Sequence, residues 1–149
     1  ATFGSLFFIG ITTSRLISGF ITEKLGDKKM IILGMVFILL GIILLVIPNV
    51  NYYVSVVGFI ICGMGAGTIY PAIVHSTPDN FGKENSQGII GLQMAFAYIG
   101  STFTPLLFGL ISSALGIEIL PFCFLFFLII FCVLFIFLQK KLKKSKNMK

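Results

Sequence analysis

The sequence predicts an all-α membrane protein that crosses the bilayer five times. Of its 149 residues, 57% are hydrophobic and only 11% are charged, and the mean hydropathy is +1.07. A soluble domain carries charge on roughly a quarter of its residues, so most of these side chains must face lipid or one another. The apolar residues fall into five runs of roughly 20, the length that crosses about 30 Å of hydrocarbon as a helix. Lipid cannot satisfy an unpaired backbone, so each run is predicted to be helical.

The five predicted spans are separated by polar or turn-forming segments. The first span is broken only by an arginine, and the second ends at Pro48 and Asn49, which favour a helix stop and a turn. A polar loop is predicted over residues 75–86, and a short connection over residues 113–116. The predicted spans are residues 1–20, 30–47, 52–73, 87–112 and 119–138, followed by a basic tail at residues 139–149.

Positive charge is concentrated on one side of this arrangement. Residues 21–29, 75–86 and 139–149 contain ten lysines, whereas residues 48–51 and 113–117 contain no lysine or arginine. The positive-inside rule places the lysine-rich side and the C-terminus in the cytoplasm, for a protein of the cell membrane. The net charge of +6 does not indicate a nucleic-acid partner, because the basic tail directly follows an apolar span.

The chain opens at Ala1 within an apolar run, without the basic region that begins a signal peptide. We therefore expect it to be a piece of a larger protein. Its cysteines, Cys62, Cys123 and Cys132, lie in apolar runs without metal-ligand spacing. No metal, cofactor or catalytic constellation is predicted, so we do not expect an enzyme.

The polar segment after the first span has a recognisable order of glycines and charges. Gly19 permits a close helix approach, and Gly26 permits a turn with positive φ. Glu23 could cap or pair with a neighbouring helix N-terminus, and Lys24 and Lys28 carry charge near the membrane surface. These residues alone fit either a basic loop with a turn glycine or a functional gate.

This segment resembles the loop signature of the major facilitator superfamily, which recurs between helices 2 and 3 and between helices 8 and 9. Arg15, four residues before Gly19, is similar to the helix 8 version. Glu23 stands where Asp is usual, and Asp27 stands where a basic residue is common. Five spans ending inside would correspond to helices 8–12, in the C-terminal half. Residues 70–111 resemble the helix 10 to 11 region of the fucose-permease-like branch.

The resemblance implies a secondary transporter that works by alternating access. Its partners would be the lipid bilayer, a small polar solute such as a sugar, a candidate coupling proton, and the missing N-terminal half of the same chain. Glu23 would then pair with a helix end in that half. No carboxylate lies within a predicted span core, so a proton-coupling carboxylate would belong to the other half. The alternatives are a drug or metabolite exporter of the same superfamily and a non-transporting membrane scaffold subunit.

Several polar side chains within the spans are candidates for a solute cavity. Arg15 could serve the gate, could extend to the interface as long basic side chains do, or could touch solute. The cavity candidates are Gln93, Tyr98 and Ser101 in the fourth span, Thr12 in the first and Tyr70 in the third. Gln93 is predicted to face the central cavity, with bonding to a neighbouring helix as the alternative.

The third span contains the sequence Gly63-x-x-x-Gly67. Small residues at this spacing let helices pack backbone to backbone in lipid, where no hydrophobic drive exists. We therefore predict helix packing at Gly63 and Gly67, and a bend near Pro71. His75, at the end of this span, is predicted to be an interfacial histidine with a partner, with proton relay as the alternative.

Overall fold

The computed structural model describes residues 2–47 and 51–146 and is helical through nearly all of this length. It consists of α1 (Thr2–Leu25), α2 (Asp27–Val46), α3 (Tyr52–Phe81), α4 (Lys83–Leu115), a short 3₁₀ turn (Ile117–Ile119) and α5 (Leu120–Lys146). Five helices are long and apolar enough to cross a membrane. The predicted fold class is therefore confirmed. Ala1, the predicted turn at Pro48 and Asn49, and the last three residues of the tail lie outside the described residues.

The helices continue through the segments that the sequence predicts as loops. The prediction of a polar loop over residues 75–86 is wrong, because α3 runs to Phe81 and α4 begins at Lys83. Likewise α1 reaches Leu25, within the polar segment after the first span. Polarity marks where a chain leaves the hydrocarbon, but a helix bonds its own backbone equally well in water. The connections between α1 and α2 and between α3 and α4 are therefore single residues, Gly26 and Gly82.

Three of the helix ends coincide with a glycine of positive φ. Gly26, Gly82 and Gly116 have φ values of 77°, 85° and 86°. The amide of Gly82 still donates to the carbonyl of Pro78 at 2.9 Å, so the last helical turn closes before the chain changes direction. Its ψ of 150° lies in a region that is essentially restricted to glycine.

Helix α3 lies between α1 and α2 and packs against both through glycines. A Cβ added to Gly10 of α1 would meet the backbone of Ile60 and Gly63 in α3. A Cβ added to Gly34 of α2 would lie 2.8 Å from the carbonyl oxygen of Gly65 in α3. The helix backbones thus touch on both faces of α3, as small residues permit in lipid.

The last two helices are attached less closely. Helix α5 packs on α2, where Leu128 joins Ile42 and Cys62 in a buried cluster. Helix α4 presents almost all of its side chains at the surface, and Ser86 is its one buried residue. The bundle therefore has a tight core of three helices, with α5 against it and α4 largely free along its length.

Candidate functional site

The residues of the loop signature lie around the turn between α1 and α2. Gly19, Glu23 and Lys24 are exposed on the last two turns of α1, Gly26 forms the turn, and Lys28 is exposed in the first turn of α2. A Cβ added to Gly19 would meet no atom within 4 Å. The close approach predicted at Gly19 therefore does not occur among the described residues.

A polar cavity of about 620 Å³ opens between the ends of α1 and α3 on this side of the molecule. Its wall contains Arg15 and Glu23 from α1, and Tyr70 and His75 from α3. Within residues 2–47 and 51–146, neither Arg15 nor Glu23 has an ion-pair partner. The cavity thus combines one charge of each sign with two aromatic polar groups.

The hydroxyl groups in this wall are bonded to their own helix. Thr22 Oγ1 donates to the carbonyl of Ser18 at 2.6 Å, and Ser18 Oγ donates to the carbonyl of Arg15 at 3.1 Å. Such bonds occupy the hydroxyl protons while leaving oxygen lone pairs available. Arg15, not the hydroxyls, therefore supplies the available side-chain hydrogen-bond donors of this cavity on α1, while the carboxylate of Glu23 can only accept.

An ion pair between α2 and α3 borders the same cavity. His75 Nδ1 lies 3.0 and 2.9 Å from the two carboxylate oxygens of Asp27. The aspartate side chain is 13% exposed and the histidine 72%. Asp27 also lies in the first turn of α2, where a negative charge is favoured. His75 has the partner expected of an interfacial histidine, but the sequence did not point to a residue 48 positions away.

The polar side chains predicted to line a solute cavity are not brought together. Gln93 Nε2 donates to Thr77 Oγ1 of α3 at 3.1 Å, so the alternative of helix-to-helix bonding describes this side chain. Tyr98, Ser101 and Thr12 are exposed. Ser101 Oγ donates to the carbonyl of Tyr98 at 3.0 Å, a bond within α4 itself. The assignment of these three residues to a solute cavity stays a prediction.

Tyr70 lines a second cavity, of about 320 Å³, which is almost entirely apolar. Phe124, Phe127 and Phe131 of α5 form much of its wall, and Cys62 of α3 lies opposite. Sequence reasoning missed these phenylalanines. The available signal was their spacing of three, four and seven residues, which places them on one face of a helix.

Gly63 and Gly67 face α1 across the tight helix contact. A Cβ on Gly63 would meet the carbonyl group of Phe7, and one on Gly67 would lie 2.7 Å from the carbonyl oxygen of Ile11. Pro71 lies inside the continuous α3 helix and in the wall of the polar cavity. Within residues 2–47 and 51–146, no cluster of three or more metal-ligating side chains occurs.

The five long apolar helices define a multi-pass helical membrane protein. Its first two helices meet at the charged turn around Gly26. Comparison with protein families gives this class a name: the model described as Major Facilitator Superfamily matches residues 1–148. The chain belongs to that superfamily and is a membrane transporter of this family. No curated protein and no solved structure matches it.

Proposed function

We propose that the chain is the helix 8–12 part of a secondary active transporter, which moves a small polar solute by alternating access. Its lysine-rich side and its C-terminus would face the cytoplasm of the cell. The observation that carries the proposal is the polar cavity between the ends of α1 and α3, with Arg15 and Glu23 in its wall. Superfamily membership supplies the class of protein.

The charges of this cavity suit a gate between two transporter halves. Arg15 and Glu23 are exposed and have no ion-pair partner among the described residues. A carboxylate at the end of a helix can pair with the positive N-terminus of a helix that moves toward it. Contacts made in one state and lost in the other bias an alternating-access equilibrium by their differential free energy. We therefore assign Glu23 to a contact with the other half of the transporter.

The polar solute and its identity as a sugar rest on the likeness of residues 70–111 to the fucose-permease-like branch. Tyr98 and Ser101 lie on an α4 surface that contacts nothing else in the described part of the chain. These hydroxyls would face the solute once the other half closes the cavity. A coupling proton would use a carboxylate of that half.

A specific observation favours a second candidate, an exporter of apolar drugs or metabolites within the same superfamily. The 320 Å³ cavity beside α5 has Tyr70 as the main polar group of its wall, among several phenylalanines. Ligand pockets for small molecules have volumes of roughly 300–1,000 Å³ and predominantly apolar walls. Such a cavity suits an apolar solute better than a sugar.

Uptake by the complete gene product in proteoliposomes tests both candidates. A panel of labelled sugars is assayed with and without an imposed pH gradient. Transport of a lipophilic fluorescent cation is measured in the same vesicles. In the sugar transporter, Glu23→Gln should lower the initial uptake rate several-fold while solute binding is retained. Glu118→Gln is the matched control, because Glu118 lies at the opposite end of the bundle, and its rate should stay unchanged.

The possible results separate the candidates. Sugar uptake that requires Glu23 supports the proposal. Extrusion of the lipophilic cation without sugar uptake favours the drug or metabolite exporter. If no solute moves although the protein is folded and oriented, a non-transporting scaffold subunit becomes the better reading. Sugar uptake that is equally fast in the Glu23→Gln variant removes the gate assignment.

A further inference from the structure

A second polar cavity lies at the lysine-rich end of the bundle, separate from the proposed gate. It has a volume of about 550 Å³ and opens between the first turn of α2, the end of α3 and the last turns of α5. Lys28, Lys140 and Lys143 contribute three positive charges to its wall, and Asn80 and Gln139 contribute amides. No acidic side chain lines it, so the cavity is a basic pocket between helices.

The nearest carboxylate on α2 is engaged elsewhere. Asp27 precedes Lys28 in the chain, but its two oxygens lie 3.0 and 2.9 Å from His75 Nδ1. The charge of Lys28 is thus not neutralised by its neighbour. Lys28 also lies in the first turn of α2, where the backbone N–H groups carry partial positive charge. An anion in the pocket would meet both the lysines and this helix end.

The remaining wall is apolar. Phe135, Ile136 and Leu142 of α5 line the pocket beside the polar groups, and Ile136 faces outward with 55% of its surface exposed. The ligand that combines a negative phosphate with hydrocarbon is an anionic phospholipid. Basic pockets between transmembrane helices are suited to such headgroups.

We propose that this pocket binds the headgroup of an anionic phospholipid such as phosphatidylglycerol. The lysines pair with its phosphate, and the acyl chains follow the apolar face of α5. The lipid would join α2, α3 and α5 at the membrane surface. The pocket shares Lys28 with the signature turn, but none of its wall residues lines the cavity that contains Arg15 and Glu23.

The tail offers a matched pair of variants. Lys140 and Lys143 line the pocket, whereas Lys141 and Lys144 do not. Lys141 Nζ lies 5.3 Å from the centre of the Phe137 ring, on another face of α5. The double variants K140Q/K143Q and K141Q/K144Q therefore remove the same charge from the same helical turns, but only the first alters the pocket.

Native mass spectrometry of the purified, delipidated chain measures the binding of dioleoyl phosphatidylglycerol against dioleoyl phosphatidylcholine. We expect phosphatidylglycerol to be favoured by the unaltered chain. K140Q/K143Q should weaken its binding by roughly 30-fold, from the attraction of anionic lipid to two lysines, whereas K141Q/K144Q should weaken it less than about 3-fold.

Two results would overturn the assignment. Equal losses in the two double variants would show a diffuse attraction of the whole tail, without a site. Displacement of the lipid by millimolar inorganic phosphate would identify a soluble phosphate as the occupant instead. Circular dichroism checks that each variant keeps its helices. The Lys28→Gln variant, whose side chain is exposed on α2, repeats the lipid-binding measurement for the lysine that α2 contributes to the pocket.

Discussion

Replacing Gly63 by alanine should weaken the close backbone contact between α1 and α3. The added Cβ would meet the carbonyl oxygen of Phe7 and would lie 3.0 Å from the carbonyl carbon of the same residue and 3.3 Å from Gly10 Cα. All three atoms belong to the backbone of α1, so no side chain can rotate away. Helix α1 must instead move outward from α3.

The size of the effect follows from two opposing terms. Carbon atoms pack at about 3.5–4.0 Å, so relief of the clash needs a displacement of about 1 Å. Overpacking of a well-filled contact costs about 1–3 kcal/mol, while alanine gains about 0.5–1 kcal/mol over glycine inside a helix. The net loss of up to about 2.5 kcal/mol should lower the unfolding midpoint by up to about 10 °C, at roughly 2–4 °C per kcal/mol in a chain of this length.

Cys62 provides the assay. Its side chain is 1% exposed, in the contact between α2 and α3. In a background where Cys123 and Cys132 are replaced by alanine, a thiol-reactive coumarin maleimide reports only the exposure of Cys62. A temperature ramp in detergent then gives the unfolding midpoint of the tight three-helix core.

The control is Gly91→Ala in α4, where an added Cβ meets no atom within 4 Å. This variant gains helix propensity without a clash, so its midpoint should equal or exceed that of the parent. A Gly63→Ala variant as stable as Gly91→Ala would show that α1 and α3 are not in backbone contact, and the packing argument would fail.

Two further predictions use the same assay. Thr77→Val should destabilise the chain by about 1–3 kcal/mol, because it leaves the amide of Gln93 without its partner on α3. In the double variant with Gln93→Leu, much of this loss of stability should disappear. Strictly additive losses would contradict the pairing. Gly82→Ala should lower the free energy of unfolding by about 1–3 kcal/mol, since φ at this turn is 85°. Gly88→Ala should cause no such loss, because its added Cβ meets no atom within 4 Å. Equal unfolding midpoints of the two variants would refute the backbone strain at Gly82.

The number of helices and their approximate positions could be predicted from the sequence, because each depends on local composition. An apolar run of about 20 residues must be helical in lipid wherever it lies in the bundle. The helix ends could not be predicted in this way. Residues 75–86 are polar and were expected to leave the helix, yet only Gly82 does so. Polarity reports the solvent around a residue, while the end of a helix is a property of the backbone at one glycine.

In the candidate site, too, local features could be predicted from the sequence and contacts between helices could not. The charged turn around Glu23 could be found because its residues are neighbours in the chain. The partners of Gln93 and His75 could not, since each lies on another helix whose register no local pattern fixes.

Gly63 shows the limit most clearly. Its spacing from Gly67 predicted a close helix contact, but the partner had to be a glycine-bearing face of some other helix. Gly10 of α1 fills that role, and Gly34 and Gly41 of α2 take the opposite side of α3. A glycine in the middle of a helix weakens it by about 0.5–1 kcal/mol relative to alanine. The matched glycines on three helices therefore form one packing arrangement. Each glycine lowers the intrinsic helix propensity but permits backbone contact between the helices. The same reasoning predicts no packing cost for alanine at Gly88 and Gly91 of α4, where an added Cβ meets no atom within 4 Å.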